Sequence, residues 1–214
     1  MKHLLIIILF FALISNSSFA QKDSLHVLFV GNSYTYFNNL PSVVSSLSKE
    51  TPTYIKTTMS AIGGARLKYH YNQERGLKTM DLIKNGNFDI VVLQEQSMGA
   101  IINKKEFLSY AEKLSNYIKK HNAKPYFFTT WSRKNTPETQ KIITKAYKEA
   151  ASKNNGIAVL VGESWKKARR QRRTLNLYTQ DGSHPNAIGT FVSACVFVKK
   201  LTGVLPNKCK AYNF

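Results

Sequence analysis

Residues 25–35 read Leu-His-Val-Leu-Phe-Val-Gly-Asn-Ser-Tyr-Thr. Leu25 to Val30 is apolar except for His26, and Gly31 ends the run. A short apolar run bounded by glycine reads as a strand buried on both faces. Tyr54–Met59 alternates β-branched and polar residues and reads as a second strand, and further strands are read at Asp89–Leu93, Pro125–Thr130 and Ile157–Val161. Helical patterns separate them. Leu40–Leu47 has Pro41 near its start, where proline is tolerated. Leu67–Ile83 is a weaker helical stretch. Lys105–Lys120 carries a stripe of Phe107, Leu108, Ala111, Leu114, Tyr117 and Ile118. Pro137–Ala151 is amphipathic, and Ala187–Leu201 forms the last helix. Strands alternating with helices predict an α/β chain with three α/β/α layers, flavodoxin-like, around a five-stranded parallel sheet. Such sheets place ligand sites at the carboxyl ends of their strands.

The chain has 214 residues, enough for one α/β domain, and neither a repeat nor an interior linker divides it. Residues 1–20 read as a signal peptide. Lys2 and His3 precede an apolar run from Leu4 to Ile14, and Ser18 and Ala20 have the small-residue spacing of a cleavage site. The run is short for a bilayer span. The expectation is a secreted or periplasmic protein starting near Gln21, with residues 21–214 as one domain and no stable membrane insertion after cleavage. Export would place Cys195 and Cys209 in an oxidising compartment. Sequence leaves open whether they pair or stay separate thiols.

The formal charge is +19, and loss of residues 1–20 removes only Lys2 among the charged groups. Lys166 to Arg173 (KKARRQRR) is the densest cationic run. Export and the lack of interleaved aromatics argue against a nucleic-acid partner. A solvated basic face is expected, with contact to an anionic polymer as the functional alternative. No CxxC or HExxH spacing appears, so no metal is expected.

Chemistry-bearing residues follow the predicted strands. Ser33 follows the first strand, and a serine hydroxyl needs an adjacent base to act as nucleophile. Gly63-Gly64 follows the second. Gln94-Glu95-Gln96-Ser97 follows the third. Glycine amides and a glutamine side chain together suit a developing oxyanion. Asp181-Gly182-Ser183-His184-Pro185-Asn186 precedes the last helix. There a carboxylate can orient an imidazole three residues on, which then takes a proton. Each motif alone also reads as a turn or a helix cap. Convergence of all four on one sheet rim has no packing explanation.

The blocks GNSYT, IGGAR, LQEQS and DGSHPN, in that order, resemble those of SGNH (GDSL-type) hydrolases. They are most similar to uncharacterised bacterial domains with GNS-[YF]-T and LQEQS blocks. The resemblance runs from Leu25 to about Gly203 and implies the SGNH hydrolase fold. It implies Ser33 as nucleophile, His184 as base and Asp181 as its partner. The Ser33 and Gly64 backbone amides would bind the oxyanion, and no cofactor is implied. Two blocks depart from the family pattern. Asn32 replaces the usual aspartate, with little consequence expected. The family's Gly-x-Asn-Asp is absent, so either Gln94 or Gln96 supplies the amide or none does, and spacing does not choose between the two glutamines.

Asn32, Asn38 and Trp131 are candidate substrate-binding residues, Trp131 being equally readable as packing. Tyr34 and Tyr36 are expected mainly to pack. Arg133 could meet an anionic group, and Glu95 could bind a hydroxyl or raise basicity. His70 and His121 are expected on a surface or helix face, and His26 opposite the site. The resemblance points to an exported esterase, with a carbohydrate O-acetylesterase as the leading expectation. Lipase or thioesterase activity is one alternative. A catalytically weak domain binding acidic glycans or envelope polymers is the other. The expected partner is a small-molecule or glycan ester.

Overall fold

The structure, a computed structural model, describes residues 23–212. The expected signal peptide therefore lies outside the described residues. The elements are β1 (Ser24–Gly31), α1 (Ser33–Tyr36), α2 (Leu40–Ser48), β2 (Tyr54–Ala61), α3 (Leu67–Tyr71) and α4 (Thr79–Asn85). There follow β3 (Ile90–Leu93), α5 (Gly99–Ile102), α6 (Lys104–Lys120), β4 (Lys124–Phe128) and α7 (Gln140–Lys153). β5 (Ile157–Val159), α8 (Val161–Gln171) and α9 (Ala187–Thr202) complete the set.

All five strands are parallel, in the order β2-β1-β3-β4-β5. The alternation of side chains along each strand feeds two cores. Val27 and Phe29 join Val92 and Phe128 beneath α2, α8 and α9. Leu28 and Val30 join Val91, Leu93 and Phe127 beneath α6 and α7. Two buried faces explain why β1 and β3 read as unbroken apolar runs. After β2 the chain crosses to the other side of β1, so loops diverge at the carboxyl ends of β1 and β3 and leave a crevice.

Two departures from the sequence reading have local causes. The single helix expected over 67–83 is split into α3 and α4. Residues 72–76 (NQERG) offer no apolar side chain to hold a helix on the sheet. Gln73, Arg75 and Gly76 there adopt φ of 54°, 57° and 78°. Helix α8 has no counterpart in that reading. Its buried face rests on Val161, Trp165 and Ala168, and the surrounding lysines and arginines mask the period. The basic run is therefore largely the outer surface of a helix.

Cys195 on α9 and Cys209 in the tail form a disulfide, with Cα atoms 5.7 Å apart and a sequence separation of 14. A crosslink of this span stabilises by about 3 kcal/mol in the chain-entropy account. Cys209→Ala should therefore lower the melting temperature by several degrees. Thermal unfolding of variant and wild type, with and without reductant, checks this. The variant should be insensitive to reductant.

Candidate active site

Site-forming segments leave the carboxyl ends of β1, β2, β3 and β4, as the topology dictates. Gly31, the last residue of β1, is required by close approach. A Cβ there would overlap Thr35 Oγ1 and the Gln94 side chain. Asn32 then caps α1, its Oδ1 accepting from the Tyr34 N–H at 3.1 Å. Its Nδ2 donates to Ala65 O at 3.0 Å and Glu95 O at 3.4 Å. One buried amide thus ties together the loops after β1, β2 and β3. Both amide hydrogens of Asn32 are engaged within the protein, so Asn32 braces the site, and it also lines the cleft beside Ser33. Its replacement of aspartate also matters, because a carboxylate could not donate to two carbonyls.

Ser33 presents Oγ 2.9 Å from His184 Nε2, across 151 residues of chain. His184 Nδ1 lies 2.5 Å from Asp181 Oδ2. The other carboxylate oxygen accepts from the Thr179 hydroxyl at 2.7 Å and from the backbone N–H groups of Ser183 and His184 at 2.8 and 2.9 Å. The His184 hydrogen bond is the main cause that holds the Asp181 carboxyl well below the usual carboxylate range, and the other donors add to it. This carboxylate stays ionised wherever an imidazole titrates.

The loop carrying His184 is fastened from several sides. Tyr34 Oη meets Ser183 Oγ at 2.6 Å. Trp131 Nε1 donates to Ser183 O at 2.9 Å, and Lys134 N donates to Gly182 O at 2.8 Å. Phe37 stacks on the His184 ring with centroids 4.6 Å apart. Trp131 is buried between Tyr34 and Trp165, at centroid distances of 4.7 and 3.9 Å. Its ring faces are occupied, so it is a packing residue under the site and not a platform for a sugar. Asn38 Nδ2 donates to Pro185 O and Thr190 Oγ1 at 3.1 and 3.0 Å. It fastens the histidine loop to α9 and does not line the cleft.

The two glutamines part company. Gln94 is fully buried. Its Oε1 accepts from Asn32 N and Thr35 Oγ1, each at 3.0 Å, and its Nε2 donates to Glu95 O. Nothing of it faces the cleft, which corrects its inclusion among the oxyanion donors. Gln96 lines the cleft. Its Oε1 accepts from Met98 N and its Nε2 donates to Ser97 Oγ, which leaves a second amide hydrogen for a ligand. Gly64 adopts φ 68°. The N–H groups of Ser33 and Gly64 have no acceptor among the described residues. The cleft holds about 440 Å³ and is also lined by Tyr36, Phe37, Ser97 and Arg133.

Glu95 turns away from the cleft. Its carboxylate accepts from Leu67 N and Gln96 N at 3.1 and 2.8 Å, and burial pushes its pKa up to about 7. His70, expected on a surface or helix face, lies on α3 and is buried completely. Its Nδ1 meets Thr79 Oγ1 at 2.7 Å and its Nε2 meets Gly31 O at 2.9 Å. Burial lowers its pKa to about 4. Thr79 Oγ1 in turn meets Ser60 Oγ at 2.8 Å. This chain supports the carbonyl two residues before Ser33. Sequence offered no signal for Phe37, Ser183 or His70, because their roles depend on which loops meet. Among the described residues, no group of three or more His, Cys, Asp or Glu side chains could hold a metal, and no helix is long and apolar enough to cross a membrane.

No family model and no curated protein matches the chain. Solved structures do. A candidate SGNH hydrolase from Slackia heliotrinireducens is 24% identical, with TM-score 0.73 over 84% of this chain and 100% of that one. A DUF4886 family protein from Bacteroides uniformis is 18% identical, with TM-score 0.74 over 85% and 84%. The acetyl xylan esterase AlAXEase is 16% identical, with TM-score 0.65 over 83% and 100%. These likenesses identify the fold as that of SGNH (GDSL-type) hydrolases.

Two expected outcomes follow from the bracing residues. Asn32→Asp should destabilise the protein by about 1–3 kcal/mol, since buried carbonyls lose their donors. Urea unfolding checks this, and unchanged stability would contradict the bracing role. His70 has a folded pKa below its unfolded value. Its stabilising contribution is therefore whole above the unfolded value and declines as pH falls from about 6.5 to about 4. The stability gap between wild type and His70→Asn should be widest near pH 7.5 and should narrow over that window. Unfolding curves at five pH values measure it.

Proposed function

We propose that this chain is an exported serine esterase that hydrolyses O-acetyl esters on carbohydrate. The observation that carries the reading is the hydrogen-bonded line from Ser33 Oγ through His184 to Asp181. On attack at a carbonyl carbon, His184 Nε2 takes the Ser33 proton, and Asp181 stabilises the imidazolium. The Ser33 and Gly64 amides and Gln96 Nε2 receive the oxyanion. His184 then protonates the departing alcohol. Water, deprotonated by the same imidazole, releases the acid from the acyl-serine.

A short acyl group suits a cleft whose lining includes Gly64, Gln96, Ser97 and Arg133. The apolar part of the lining is confined to the rings of Tyr34, Tyr36 and Phe37, with no aliphatic side chain, which weighs against a long alkyl chain and so against lipase or thioesterase activity. Fold similarity to an acetyl xylan esterase supports a carbohydrate ester by analogy. Export is supported by the apolar leader and by the Cys195–Cys209 disulfide, a bond favoured in oxidising compartments.

Hydrolysis of p-nitrophenyl acetate should exceed that of longer esters, and Ser33→Ala should lower it by about 10⁴-fold or more. Equal turnover in the variant would overturn the reading. Gln96→Ala should lower kcat by about 10²-fold, whereas Gln94→Ala should chiefly lower stability.

A further inference from the structure

A second cavity, of about 280 Å³, lies on the α8 side of the segment Trp131–Arg133. Trp131, Trp165 and Tyr178 contribute to its wall, and Lys166, Arg169 and Arg170 to its rim. Lys166 and Arg170 also line an adjoining concavity of about 420 Å³, together with Lys167. The segment links this region to the cleft. Trp131 and Ser132 line the second cavity, and the next residue, Arg133, lines the cleft that holds Ser33.

The charge arrangement is costly unless something answers it. Lys166, Arg169 and Arg170 stand three and four residues apart on α8, where like charges repel. Among the described residues none of them pairs with a carboxylate. One acid, Glu163, also lines the adjoining concavity, and one of its carboxylate oxygens accepts a hydrogen bond from the Thr144 hydroxyl at 2.6 Å. Arg169 is partly engaged by Tyr178, with its Nη1 3.3 Å from Oη. Lys166 and Arg170 have no such partner.

We propose that the ester is carried on a polyanionic glycan, and that this cavity holds an anionic group of the polymer while a neighbouring sugar enters the Ser33 cleft. This rests on the esterase reading and names its substrate class. The concave shape suits a single sugar with a charged substituent better than a flat membrane surface. The aromatic residues of this cavity, Trp131, Trp165 and Tyr178, are buried, so it offers no ring face for stacking a nucleic-acid base. Arg133, exposed at the cleft, continues the positive track toward Ser33.

The test compares O-acetylated polygalacturonate with neutral O-acetylated xylan and with p-nitrophenyl acetate, for wild type and for the double variant K166A/R170A. Arg169 is left in place because it holds Tyr178. The variant should raise KM on the acidic polymer about tenfold while kcat/KM on p-nitrophenyl acetate stays within about twofold. Wild-type KM on the acidic polymer should rise with salt, and that on xylan should not. Unchanged KM on the acidic polymer in the double variant would overturn the proposal.

A second arm does not depend on turnover. Binding of unacetylated polygalacturonate is measured with Ser33→Ala, with and without K166A/R170A. Loss of binding in the triple variant supports the anion site even if wild type hydrolyses no ester, an outcome that would overturn the esterase reading alone. Equal binding in both overturns the site. Competition by anionic vesicles or single-stranded oligonucleotide as effective as that by polygalacturonate, at equal charge, would overturn the glycan assignment.

Discussion

Two buried side-chain amides hold the ends of three parallel strands together, and the reactive geometry rests on them. Asn32 donates to carbonyls in the loops after β2 and β3, and Gln94 accepts from the backbone and the threonine that surround Ser33. Parallel strands end in backbone groups that the ladder cannot satisfy, and a buried unsatisfied group costs far more than a bond gains. The amides meet that demand with donors and acceptors fixed in direction. Ser33 follows Asn32 directly, so its position is set by this network.

The histidine side of the site is built differently. His184 lies in a loop whose backbone cannot fix it unaided. Asp181 gathers four donors from its own loop, and Tyr34 and Trp131 hold Ser183 from the sheet side. Phe37 lies over the imidazole. The base is thus positioned by residues from the loops after β1 and β4, the same segments that carry the nucleophile and the cleft wall. This arrangement makes Trp131 a supporting residue. It lies between Tyr34, which lines the cleft, and Trp165, with which it lines the cationic cavity.

Charge is distributed unevenly with respect to this frame. Acidic groups near the cleft are spent within the protein, Asp181 on its own loop and Glu95 on two backbone amides. Cations on α8 are not similarly spent. The fold therefore presents a positive surface next to a hydrogen-bonding cleft edged by Arg133, which is the electrostatic setting in which a charged polymer would be held beside an uncharged ester.

The sequence by itself determined the α/β alternation, because strands buried on both faces must be nearly all apolar and helices must repeat every three to four residues. It also determined the residue types of Ser33, Asp181, His184 and Gly64, because local motifs record them. It could not distinguish Gln94 from Gln96, since residues two apart share a face only while the chain stays extended, and the chain turns after Leu93. It could not find the split between α3 and α4, where left-handed residues other than glycine interrupt the pattern. Helix α8 was hidden because three buried residues among many cations give too weak a period. Tertiary structure alone decided that His70 is buried, that Cys195 meets Cys209, and that Asn32, Asn38 and Trp131 brace the site. Each of those outcomes depends on which distant loops come within hydrogen-bond or van der Waals reach, and that distance is set by packing of the sheet and its helices, not by neighbours along the chain.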